Sequence, residues 1–154
     1  MNSAQPQLRP VWIATLAKAP LVLLEQNVSA LGPVPDYEFL RSPEIGLAMV
    51  RGRAEGTGEP FNLGEMTLTR CVVKLSAPTS DPIAGFGYVA GRSQRHAELA
   101  ALCDALLQHP DWQHAVQTQV IEPLQAAAQE KQTLATAQVE STRVNFFTLL
   151  RGEG

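Results

Sequence analysis

MTLTRCVVKLSA, residues 66–77, and IAGFGYV, residues 83–89, decide the fold class of this chain. The first run is rich in Thr and Val, which suit a pleated, half-buried surface, and reads as one long strand. The second reads as another strand, threaded with Gly85 and Gly87. The loop between them, Ala77 to Pro82, carries two prolines. Upstream, Tyr37, Phe39 and Arg41 alternate with Glu38 and Leu40, a period of two. Ser42-Pro43-Glu44 then reads as a turn, and Leu47 to Val50 as a strand that continues to Arg51 and Arg53. A Gly-rich connection, EGTGEPFNLG, covers residues 55–64. Four strands with short connections predict an antiparallel sheet.

On both sides of the sheet the period is helical. Pro10 suits a first helical turn, and Trp12, Leu16 and Ala19 follow at helical spacing. Pro20 interrupts this helix. Leu21, Leu24, Val28 and Leu31 form one face of a second helix, which Gly32-Pro33 ends. After Gly91-Arg92, Ser93 is a plausible N-cap. His96, Leu99, Cys103 and Leu106 then share a stripe, with Ala97, Ala100, Asp104 and Leu107 beside it. Pro110 stops that helix, and Trp112, Val116 and Val120 mark a short one before Pro123. Residues 124–139 are rich in Ala and Gln, with good helix propensity and a thin apolar stripe. VNFFTLL, residues 144–150, is apolar on both faces and fits a buried strand. The expectation is an α+β fold in one domain, residues 1–154. It has an antiparallel sheet of about four to five strands flanked by N-terminal and C-terminal helices. Residues 1–9 are expected to fray, and residues 124–151 to dock on another subunit.

Composition excludes several classes. A net charge of −3 gives no generic attraction to nucleic acid or to an anionic membrane. The most apolar stretch of the N-terminal region, Leu21 to Leu24, is far short of a bilayer span. No signal-peptide pattern opens the chain, so a cytoplasmic location is expected. Two cysteines, Cys71 and Cys103, do not make a secreted disulfide framework. His96, His109 and His114 form no zinc motif with them, so no metal site is expected. The GTGEP loop lacks the third glycine and following helix of a dinucleotide loop, and no Gly-Lys-Ser/Thr is present. No nucleophile elbow exists, and both cysteines fall on apolar positions, so no catalytic residue is assigned.

Arginines are the more suggestive residues. Nine of them outnumber the three lysines of the chain. Arginine suits two-pronged contact with carboxylates and phosphates. Arg70 follows the Gly-rich loop on a strand, Arg92 precedes a helix N-terminus, and His96 lies four residues on. These three are the candidates for an anion or interface contact, since a helix N-terminus favours negative charge. The bland reading weighs more for each: an ordinary surface ion pair for any single arginine, and a core or half-buried histidine bonded to a backbone carbonyl for His96.

Three ordered blocks carry a family resemblance. Residues 57–71, TGEPFNLGEMTLTRC, form the first. Residues 87–98, GYVAGRSQRHAE, followed by Asp104-Ala105-Leu106-Leu107, form the second. Residues 141–152, STRVNFFTLLRG, form the third. Together they resemble the G subunit of carbon–phosphorus lyase, the phosphonate metabolism protein PhnG family, from about Trp12 to Gly152. Asn145 stands where the family often has Asp, and the Ala77–Pro82 loop is slightly long. The resemblance implies a core complex of G, H, I and J subunits, two of each. In it the I subunit, aided by G, H and the L protein, displaces adenine from MgATP with a phosphonate. A later radical step on the J subunit uses an iron–sulfur cluster and S-adenosylmethionine. This chain is then expected to bind no cofactor itself and to lack a complete active site. The alternative is a stand-alone phosphonate- or nucleotide-binding module.

Overall fold

The structure is a computed structural model, described here for residues 8–76 and 81–143. Two helices open the described chain, α1 (Arg9–Lys18) and α2 (Leu21–Ser29). Three strands follow: β1 (Tyr37–Arg53), β2 (Pro60–Leu75) and β3 (Ala84–Ala90). Then come α3 (Gln94–Leu107), the short α4 (Gln113–Val116) and α5 (Glu122–Ser141). Arg9, read from sequence as part of the frayed end, is the first residue of α1.

The class is α+β, with one antiparallel sheet of order β1-β2-β3 among the described residues. The strand count is lower than expected because Ser42-Pro43-Glu44 is not a turn. β1 runs straight through it, and the register jumps from Arg41↔Val72 to Glu44↔Arg70. Ser42 and Pro43 are therefore taken up in a bulge of an edge strand, where a residue without an N–H is tolerated. A second irregularity lies between Phe39 and Arg41. The hairpin turns instead at Ala54–Gly56, a single 3-10 turn. VNFFTLL, the expected fifth strand, lies outside the described residues.

The core forms on one face of the sheet. Thr69, Cys71, Val73 and Leu75 alternate inward along β2, with Val89 on β3. α3 lies against them and is buried on nearly every side. Trp12 and Leu16 of α1, Leu24 and Val28 of α2, and Val116, Val120, Ile121 and Leu124 complete the core. β3 approaches α3 so closely that only glycine fits. A Cβ on Gly85 would run into the carbonyl of Ala101 and stand 2.6 Å from the Ala105 nitrogen. One on Gly87 would meet the carbonyl of Ala97. The glycines of β3 and the alanines at i, i+4 and i+8 of α3 thus set the spacing between sheet and helix.

Ser93 caps α3 through its Oγ, which accepts from the His96 backbone N–H at 3.2 Å. α4 passes into α5 through one π turn, Gln117–Ile121. That turn ends just before Pro123, which cannot donate a helical hydrogen bond, and π bulges are a recognised way to absorb such a defect.

Candidate protein interface

β3 pairs with β2 only over Leu68 to Lys74. Beyond Leu68, β1 and β2 continue together to Arg53 and Pro60 as a two-stranded arm. An isolated two-stranded ribbon is marginal in water. This one also carries exposed apolar side chains on both faces. Ile45, Leu47 and Met49 share a face with Thr69, Thr67 and Glu65, their register partners. Ala48, Val50, Met66 and Phe61 fall on the other face, and Leu63 packs over Gly52 there. Leu47 is 66% exposed and Leu63 62% exposed, so each face leaves apolar side chains uncovered.

The second face continues onto the body of the sheet. Register places Leu68, Arg70 and Val72 of β2 beside Ala90, Tyr88 and Phe86 of β3. Phe86 and Tyr88 remain exposed. An antiparallel sheet may turn one face to water, but that face then ordinarily alternates to polar residues. Here Arg70 lies among Leu68, Val72 and Tyr88, and its Nε donates to Glu44 Oε1 at 2.7 Å. Arg41 donates to the same oxygen at 3.0 Å. These pairs are half exposed and contribute at most about 1 kcal/mol. They leave Arg70 oriented on the uncovered face.

The other sequence candidates lie elsewhere. The first two blocks of the family resemblance meet where Thr69 Oγ1 donates to the Gly91 carbonyl at 2.8 Å and Gly91 N–H donates to Thr67 O at 2.9 Å. Arg92 follows immediately, is exposed, and has no ion pair among the described residues. His96 is buried, and its Nε2 lies 2.7 Å from the carbonyl of Leu16, the bond of a core histidine. The structure therefore ties Arg70 to Glu44 and His96 to α1, and leaves Arg92 on the surface at the start of α3.

One polar centre was missed in the sequence. Asp104, fully buried on α3, accepts from Arg9 Nε at 3.1 Å and from the second Arg9 nitrogen at 2.8 Å. Trp12 Nε1 at 2.8 Å and the Phe86 backbone N–H at 2.9 Å complete it. The carboxylate thus joins α1, β3 and α3. Its hydrogen bonds hold the Arg9 guanidinium above its ordinary pKa, against the opposing effect of burial. An acid among apolar helix positions was the available signal.

Both cysteine thiols are raised above their ordinary range. Burial pushes the Cys71 thiol up to about 11, with Glu98 adding to it. Burial likewise pushes Cys103 up to about 12, and Asp104 adds to it. Such thiols are protonated and inert near neutral pH. Both are free and buried, Cys71 on β2 and Cys103 on α3. Among the described residues no group of three or more His, Cys, Asp or Glu is placed to hold a metal. No helix there is long and apolar enough to cross a membrane.

A family model described as phosphonate metabolism protein PhnG matches residues 7–152. The chain belongs to the PhnG family. A relative from Rhizobium meliloti (strain 1021), named alpha-D-ribose 1-methylphosphonate 5-triphosphate synthase subunit PhnG, is 40% identical over 141 residues. That alignment covers 90% of this chain and 85% of the relative. In this PhnG-family chain the β2 strand of the arm comes from the TGEPFNLGEMTLTRC block.

Proposed function

We propose that this chain is a supporting subunit of an α-D-ribose 1-methylphosphonate 5-triphosphate synthase complex in phosphonate catabolism. The single observation that carries the subunit reading is the arm, a ribbon with uncovered apolar side chains on both faces. Soluble monomers rarely leave contiguous apolar patches of this kind uncovered. A partner that receives the arm covers both faces at once. The chemistry, transfer of a phosphonate to ribose C1 of MgATP with release of adenine, then belongs mainly to the I subunit. Partners I, H and J, two copies of each with this chain, form the assembly, and the iron–sulfur cluster and S-adenosylmethionine sit on J. The relative's name supports the complex. Arg70 on the uncovered face and Arg92 at the start of α3 are the anion contacts to a partner carboxylate or the triphosphate. His96 holds α1 behind them.

The test is co-expression with the I, H and J subunits. Leu47→Lys with Leu63→Asp should leave the isolated chain's circular dichroism unchanged and prevent its co-purification. Stoichiometric co-purification of that variant would refute the docking role. Arg92→Ala should assemble normally and raise the KM for MgATP or phosphonate. Unchanged kinetics in an intact complex would remove Arg92 from the reading. Adenine release by the purified chain alone would point instead to a stand-alone enzyme.

A further inference from the structure

α5 leaves the core early. Of its residues Glu122–Ser141 only Leu124 is buried. Where it departs, an apolar groove of about 670 Å³ opens between α1 and α5. Pro10, Val11 and Ala14 line one wall, and Leu124, Ala127 and Ala128 the other. Val11 is 50% exposed there. A shallower depression lined by Gln129, Gln132, Thr133, Thr136, Ala137 and Glu140 continues toward the end of the helix. It shares Gln129 and Gln132 with the groove, so the two form one track along α5.

The chain itself supplies a segment of the right length and chemistry. Residues 144–150 read VNFFTLL, with five apolar side chains in seven, directly after the helix end. At 1.5 Å per residue, Ala128 lies about 20 Å from Ser141 along the helix. Seven residues of extended chain span about 23 Å. A segment that reverses after Arg143 therefore brings Phe146 and Phe147 to the shallow depression and Leu149 and Leu150 to the groove. The tether holds the segment at millimolar effective concentration, above that of any free partner. We propose that Val144–Leu150 folds back along α5 and fills the groove between α1 and α5 of its own chain. This is independent of the partner that receives the arm, which is on the sheet. It also departs from docking of residues 124–151 on another subunit.

Two measurements on the isolated full-length chain test it. Hydrogen exchange of residues 124–136 should be at least about ten-fold faster in Phe146→Ser/Phe147→Ser than in the unsubstituted chain, with α3 unchanged as the folding control. Mild oxidation of Ala128→Cys/Leu149→Cys should give a disulfide within one chain, at monomer mass. Unchanged exchange, or no disulfide, overturns the proposal. A disulfide between chains assigns the groove to a second copy, and protection that appears only with partner subunits assigns it to a partner. Either result overturns it as well.

Discussion

Donors from three residues converge on the carboxylate of Asp104 within 3.1 Å, and the carboxylate is wholly buried. Removing one side of such a centre costs more than the net worth of the contacts, because the partners stay buried. Asp104→Ala should lower stability by about 3–5 kcal/mol. Asp104→Asn, which keeps the shape, should cost less, and the shift in denaturation midpoint reads both. Gly85 is equally constrained. Gly85→Ala puts a methyl against the backbone of α3 and should cost at least about 1–3 kcal/mol. Tyr37 offers a pH test. Its hydroxyl donates to Glu98 Oε1 at 2.5 Å, and burial first, then that bond, push it up to about 12. The folded state binds this proton more tightly than the unfolded state, whose tyrosines titrate near about 10. Its contribution is therefore fully present below pH ~10 and lost as pH rises through ~12. Tyr37→Phe should flatten the stability curve in that window, and an unaltered curve would contradict the assignment.

At the scale of the element, the informative object is the arm. Its hydrogen bonds are those of one ladder, and its side chains bury little. Local stability follows buried contact. Amides of residues 45–53 and 61–66 should exchange quickly in the free chain, and those of Cys71 to Leu75 slowly. Binding of partner subunits should slow the arm by at least about a hundred-fold. Equal exchange in free and assembled protein would show that the arm is not received. The bulges of β1 belong to this scale too. Ser42-Pro43 read as a turn because Pro and Ser favour turns. An edge strand satisfies such residues just as well, and only the pairing with β2 distinguishes the two.

At the scale of the whole molecule, the arm and α5 stand off the core among the described residues. Surface of this kind ties stability to partners by mass action. The melting temperature of the full chain should rise by several degrees when the partner subunits are added. An unchanged melting temperature would mean that the uncovered faces have no occupant among them.

Helix positions followed from the sequence itself, since Pro20, Gly32-Pro33, Ser93 and Pro110 act locally through backbone geometry. The inward alternation of β2 did too, because a period of two is intrinsic to a strand. Family membership rested on the same local blocks. Strand number did not follow, because a bulge and a turn use the same residues and differ only in what pairs across them. Gly85 and Gly87 were visible as glycines, but the close approach of α3 that requires them is a contact between distant segments. Asp104 was visible as an acid on an apolar helix, but Arg9 lies 95 positions away and Trp12 92. The apolar content of the arm was likewise legible, while its lack of cover was not, because burial depends on which elements the fold brings alongside.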